Sequence, residues 1–145
     1  MKIHLATDHA GFLIKEQIKQ KLYEIGYEII DHGANIFDRE DDYPDFITPC
    51  AEAVAKDTES IGIIFGGSGQ GEAMVANRIS GVRAGVYYGH EPAMVTLLRE
   101  HNNANILSIG VRFITDIGSV QKIVHNFITT VFPGEGRHIR RINKF

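Results

Sequence analysis

A chain of 145 residues, 43% apolar and 23% charged, has the composition of a soluble globular protein. It is most simply one domain, large enough to bury about 70% of its unfolded surface. The net charge of −3 supplies no positive field for nucleic acid, and no apolar run approaches the ~18 residues of a membrane span.

Short apolar strands alternate with longer amphipathic segments, the pattern of an α/β domain built on a parallel sheet. The first strand is Ile3–Ala6, broken at Thr7-Asp8-His9-Ala10-Gly11. A helix follows with Ile14, Ile18, Leu22 and Ile25 on one stripe, Lys15, Lys19, Lys21 and Glu24 elsewhere, and Gly26 as its stop. Glu28–Asp31 is a weaker second strand. After the charged loop Asp38–Tyr43, Pro44 suits the opening of a second helix running to about Lys56, with Cys50 as a small packing residue inside it. The apolar run Ile61–Phe65 reads as a buried third strand and Arg83–Tyr88 as a fourth. A helix from about Glu91 to Glu100 precedes the fifth strand, Ile106–Ile109. Asp116 can cap a last helix that turns Ile117, Val120, Val124, Phe127 and Ile128 inward. Pro133-Gly134 ends it, leaving an extended basic tail from about residue 133. The expected architecture is a single-domain, Rossmann-like, doubly wound sheet of about five parallel strands with helices on both faces. One cysteine excludes an internal disulfide framework, and the N-terminus is too short in apolar residues for a signal peptide, so a cytoplasmic protein is expected.

The stretch Gly66-Gly67-Ser68-Gly69-Gln70-Gly71-Glu72 joins the third strand to the helix that opens near Ala73. Such a turn lets backbone N–H groups converge on an anion. It is not a P-loop, because no Gly-Lys-Ser/Thr closes it, and it lacks the Gly-x-Gly-x-x-Gly spacing of dinucleotide binding. It is not a nucleophile elbow either, since Gln70 stands where that motif needs glycine. The seven histidines are scattered without metal-ligand spacing, so neither metal nor cofactor is expected. Glu72, in the first helical turn, is by default a capping or dipole-stabilising residue. Beside an oxyanion-binding loop it is also placed to shuttle a proton on carbon. A helix N-terminus lowers its pKa and desolvation raises it, which leaves the direction open.

Ligands in open parallel sheets bind outside the carboxyl ends of the strands. Three polar clusters are expected there or nearby: Asp8-His9, Gly110-Val111-Arg112, and His101-Asn102-Asn103-Ala104-Asn105. The tail adds Arg137, His138 and Arg141, and a helical tail would let the two arginines grip one phosphate. Each has a plainer reading. Asp8 can cap the first helix, His101 can be a surface histidine at a helix end, and a basic tail is usually solvated.

The pieces Thr7-Asp8-His9-Ala10-Gly11, Asp42-Tyr43-Pro44-Asp45, Gly67-Ser68-Gly69-Gln70-Gly71, Asn77-Arg78, Arg99-Glu100-His101-Asn102, Gly110-Val111-Arg112 and Gly136-Arg137-His138 span nearly the whole chain. Together they resemble the type B ribose-5-phosphate isomerases and their sugar-phosphate isomerase relatives. The resemblance implies cofactor-free aldose–ketose interconversion through an enediolate. It also implies a homodimer, with a tetramer as the alternative, whose sites lie at the subunit boundary; the charge balance and the apolar runs lead us to expect neither nucleic-acid nor membrane partners. Some members carry a catalytic cysteine where this chain has Gly66; another subset uses a glutamate just after the loop, which Glu72 matches. By the same resemblance His101 opens the furanose ring with Asp8 nearby, and Ser68 orients Glu72 or bonds a substrate hydroxyl. His9, Arg112, Arg137 and Arg141 bind phosphate, Asn102 a sugar hydroxyl, and Gly67, Gly69, Gln70 and Gly71 the oxyanion. Tyr43 and His138 wall the pocket. His4, His32, His90 and His125 are left structural. Ribose 5-phosphate is the leading substrate, a hexose 6-phosphate or four-carbon sugar phosphate the runner-up. A non-catalytic sugar-phosphate sensor is the alternative from another class.

Overall fold

The computed structural model describes residues 1–114 and 116–145. Its elements run β1 (Lys2–Thr7), α1 (Phe12–Glu24), β2 (Glu28–Asp31), α2 (Pro44–Lys56), β3 (Ile61–Gly66), α3 (Gln70–Ala76), β4 (Ala84–Tyr87), α4 (Ala93–Asn102), β5 (Ile106–Gly110), a 3₁₀ turn (Val111–Phe113), α5 (Ile117–Thr129) and α6 (Gly136–Ile142). All four strand pairings are parallel, in the order β2-β1-β3-β5-β4. No helix among the described residues is long and apolar enough to cross a membrane.

Strand side chains alternate between two apolar layers, as the period of two requires. Ile3, Leu5, Ile61, Ile63, Phe65, Leu107 and Ile109 join α1, α4 and α5 through Ile18, Leu22, Val95, Val120, Val124 and Phe127. Ala6, Ile64 and Ile106 face the other way, onto Ile47, Cys50, Ala51 and Val54 of α2 and Ala76 of α3. The chain therefore winds helices over both faces. It leaves β1 first toward β2 and then back toward β3, so the topological switch lies at the carboxyl ends of β1 and β3, where a crevice is built into this kind of sheet.

Four local expectations need correcting. Lys15 does not face solvent: its side chain is fully buried, and its Nζ donates to both Asp31 oxygens at 2.7 Å and to the Ala34 carbonyl at 2.9 Å. Ile25, expected on the buried stripe, is the C-cap of α1 and stays exposed. Helix α4 starts and ends two residues later than its pattern suggests. Glu91 accepts the Ala93 N–H at its entry, and Asn103 leaves it in the left-handed conformation that asparagine tolerates (φ 46°). The basic tail is not extended but carries α6, which seats the buried His138 against α4.

Candidate active site

Three backbone features shape the glycine loop. Gly69 turns the chain into α3 with φ +76°, and its carbonyl accepts the Ser108 hydroxyl at 2.7 Å. Ser68 Oγ accepts the Gln70 N–H at 3.3 Å. A Cβ on Gly110 would run into the Ser68 carbonyl, so the end of β5 lies directly on the loop. Glu72, in the first turn of α3, is 5% exposed. Its carboxylate fills the space that a side chain on Gly66 would need. Burial pushes the Glu72 pKa up, and Asp8 adds to the rise; the residue's own backbone N–H and Arg112 oppose it without cancelling it. Desolvation thus outweighs the helix terminus.

The walls around Glu72 come from three other segments. The Arg112 guanidinium lies over Gly67, within 2.8 Å of where a Cβ would stand, while the Arg112 N–H donates to the Gly67 carbonyl at 3.1 Å. The Tyr43 hydroxyl sits over Gly71 in the same way, at 2.7 Å. The Thr7 hydroxyl donates to the Phe65 carbonyl at 3.0 Å, tying the end of β1 to the end of β3. Asp8 follows it, buried, with Oδ1 accepting the Ala10 N–H at 2.9 Å rather than capping α1, whose N-cap is Gly11. His9 comes next, with Nδ1 2.6 Å from Asp41 Oδ1. That hydrogen bond is the largest influence on His9 and raises its pKa; burial opposes the rise, and Asp8 assists it. The structure therefore gathers Asp8, His9, Tyr43, Gly67, Ser68, Gly69, Gln70, Gly71, Glu72 and Arg112 at the switch point.

One residue of this cluster has no counterpart in the sequence reading. Asp41 sits inside the acidic run Asp38–Asp42, where nothing local separates it from solvated neighbours. Asp8, His9 and Asp41 bring three potential metal-ligand atoms within 4.8 Å of one another. Their atoms are already committed, however. His9 Nδ1 is taken up by the hydrogen bond to Asp41 Oδ1, and Asp8 Oδ1 holds the Ala10 amide. Cys50, by contrast, is wholly buried in α2, and burial raises its thiol pKa far above the reactive range.

The remaining candidates lie elsewhere, which corrects the expectation that the His101 cluster stands near the strands' carboxyl ends. Helix α4 returns the chain to the opposite edge of the sheet. The residues after it bind there: the Asn105 carbonyl accepts the Gly62 N–H at 2.9 Å, and Asn105 Oδ1 accepts the Arg83 N–H at 2.7 Å. Gly62 and Arg83 flank the starts of β3 and β4. Six residues of β3 at about 3.3 Å each separate the two edges, roughly 15–20 Å. His101 and Asn102 are both exposed at that far edge. His138 of α6 stacks on His101 with ring centroids 4.4 Å apart and planes 12° from parallel. Burial, then His101 and Arg137, lower the His138 pKa. Arg137 and Arg141 stand four residues apart on α6, exposed on adjacent turns. One chain thus carries two half-constellations, one at each end of its sheet.

Known proteins share this fold along nearly the whole chain. The ribose/galactose isomerase family matches residues 3–145. This chain belongs to that family. Ribose-5-phosphate isomerase B of Mycolicibacterium paratuberculosis is 42% identical over 143 residues, covering 99% of this chain and 88% of that one. The crystal structure of ribose-5-phosphate isomerase B from Mycoplasma genitalium with bound ribulose-5-phosphate superposes with a TM-score of 0.92 at 39% identity, covering 99% of this chain and 92% of that one. The Thermotoga maritima ribose 5-phosphate isomerase structure gives 0.90 at 39%, covering 99% and 95%. Family membership thus extends over both half-constellations, from Asp8 to Arg141.

Proposed function

We propose that this protein interconverts ribose 5-phosphate and ribulose 5-phosphate, with Glu72 as the base. The observation that carries the reading is the buried Glu72 carboxylate, set against Gly66 between Asp8 and Arg112 at the switch point. The likeness to ribose-5-phosphate isomerases B along almost the full chain supports the choice of sugar.

The chemistry balances with protein groups alone. His101 donates a proton to the ring oxygen as Asp8 draws the proton from the anomeric hydroxyl, and the furanose opens to the aldehyde. Glu72 then removes the proton at C2, and the electron pair moves through C1–C2 to place negative charge on the C1 oxygen. N–H groups of the glycine loop stabilise that oxyanion, and one such donor commonly contributes ~3 kcal/mol. The C2 hydroxyl proton passes to the C1 oxygen, and return of the proton from Glu72 to C1 as C2 becomes the carbonyl gives the ketose. A carboxylate raised by burial is better matched to a carbon acid than an ordinary one.

The two halves of the constellation lie too far apart to meet in one chain, so the reading requires a two-fold dimer. Glu72, Asp8, His9, Arg112 and the glycine loop come from one protomer; His101, Asn102, Arg137 and Arg141 come from the other. His9 and Arg112 on one side and the two α6 arginines on the other then grip the phosphate through charge-assisted contacts. Residues 1–145 act as one isomerase domain whose basic end, from about 133, serves the neighbour's site. A cytosolic setting fits a substrate that its own charge keeps inside the cell.

Turnover across four-, five- and six-carbon aldose phosphates, read together with exchange of the C2 proton for solvent deuterium, tests this reading. The expected result is preferred turnover of ribose 5-phosphate with exchange. Preference for a hexose or four-carbon phosphate would move the substrate assignment, and binding without exchange would make the protein a sensor.

A further inference from the structure

Among the acidic side chains of the loop Asp38–Asp42, only Asp41 turns inward, with 9% of its side chain exposed. Its Oδ1 accepts two hydrogen bonds from one residue, from the His9 backbone N–H at 3.0 Å and from Nδ1 at 2.6 Å. Its Oδ2 is buried and has no hydrogen-bond partner among the described residues. A buried carboxylate with an empty oxygen is destabilising, and such groups persist where function requires them. Among the described residues Asp41 forms no ion pair with a lysine or arginine. What it does is hold His9. With Nδ1–H committed to Asp41, the imidazole tautomer is fixed and only the Nε2 edge is left to meet a ligand. The Phe37 ring packs edge-on against the imidazole at 6.5 Å, which limits its rotation. The charged groups facing His9 are Asp41, Asp8 at 4.0 Å and, on the basic side, Arg112.

We infer that Asp41 is a positioning residue for phosphate recognition: it holds His9 as an imidazolium, clamped at backbone and ring, with Nε2–H presented beside Arg112 to the substrate's phosphate. The inference rests on the isomerase reading for the identity of the substrate, though not for the anion. A neutral His9 would accept at one nitrogen and repel a phosphate oxygen, whereas the clamped cation donates to it. Asp41 touches no substrate atom and acts only through His9.

Asp41→Asn keeps the size and one acceptor oxygen but removes the charge. The test reads His9 by imidazole NMR titration and measures inorganic phosphate affinity by calorimetry, in wild type, Asp41→Asn, His9→Ala and the double variant. The titration midpoint of His9 should fall in Asp41→Asn. Phosphate affinity should weaken roughly tenfold, as for the loss of one charge-assisted hydrogen bond, and Asp41→Glu should recover part of it. In the His9→Ala background, Asp41→Asn should change nothing further. With ribose 5-phosphate, KM should rise while kcat holds. An unmoved His9 midpoint, the same phosphate loss without His9, or no phosphate affinity in wild type would each overturn the inference. If wild type fails to turn over ribose 5-phosphate, the isomerase reading falls, and the titration and phosphate cycle still decide the role of Asp41.

Discussion

Gly66 and Glu72 share one space: the Glu72 carboxylate occupies the position that any side chain on residue 66 would enter. A side chain at 66 and the carboxylate of Glu72 in its present position are therefore mutually exclusive. On the isomerase reading, glycine at 66 is what leaves room for the Glu72 carboxylate. Gly66→Cys should leave the fold intact, because what must move is the tip of a flexible side chain. Activity should fall at least ~10²-fold, the usual cost of displacing a general base. Circular dichroism together with steady-state turnover checks this. Full activity in Gly66→Cys, retained on adding Glu72→Ala, would show that a thiolate serves equally well.

The separation of Glu72 from His101 along the sheet leads to a subunit-mixing experiment. Glu72→Gln and His101→Ala dimers should each be nearly inactive. Dissociating and reassociating an equal mixture creates heterodimers with one doubly altered site and one intact site. Random exchange with independent sites should restore roughly a quarter of wild-type activity, from the two-fold symmetry. No recovery, with heterodimers demonstrated by mass spectrometry, would mean that each chain completes its own site.

At the start of β1, His4 Nδ1 lies 2.8 Å from His32 Nε2, and His4 Nε2 is buried without a partner among the described residues. Burial lowers the pKa of both; His32 further lowers His4, while Asp57 and Glu28 oppose that, and Asp31 opposes the shift of His32. Folded-state values below the unfolded value of about 6.5 mean that the unfolded chain binds more protons as pH falls through that point. Stability from this pair is therefore present above about pH 6.5 and is lost as pH falls toward and through the depressed folded values. His9 is shifted the other way and adds an opposing slope, so the comparison must isolate the pair. The wild-type Tm should drop more between pH 7 and pH 5 than that of a His4→Asn, His32→Gln variant. Parallel curves would contradict this account.

Apolar periodicity makes most of the architecture legible, because burial on one face is a local signal that Ile18 and Leu22, or Val120, Val124 and Phe127, write directly into the chain. Lys15 is missed for a physical reason. A cation on an amphipathic helix reads as solvent-facing, and its partner Asp31 arrives through β2, sixteen residues on. Its removal should be felt: Lys15→Ala empties a fully buried site and takes from Asp31 a charge-assisted hydrogen bond, leaving Lys19 at 2.7 Å as its cation, a loss of about 1.5–3 kcal/mol. Urea denaturation should show the loss, and a change within ±0.5 kcal/mol, the range of ordinary surface substitutions, would contradict the pairing. Asp41 is illegible because only the packing of its loop against His9 sets it apart from Asp38, Glu40 and Asp42. The position of His101 was within reach, since a helix that follows a parallel strand must return the chain to the sheet's amino edge. The strand order was not, and β5 lies between β3 and β4.

The central claim, that Glu72 moves the proton between C2 and C1, is tested most directly by following ribose 5-phosphate in deuterium oxide by NMR with wild type and Glu72→Gln. Wild type should form ribulose 5-phosphate carrying solvent deuterium at C1, with an acid limb in its pH profile above the ordinary glutamate range, as the direction of the Glu72 shift requires. Glu72→Gln should bind the substrate yet lose turnover and exchange together, by at least ~10²-fold. Near-wild-type turnover or exchange in Glu72→Gln would contradict the account.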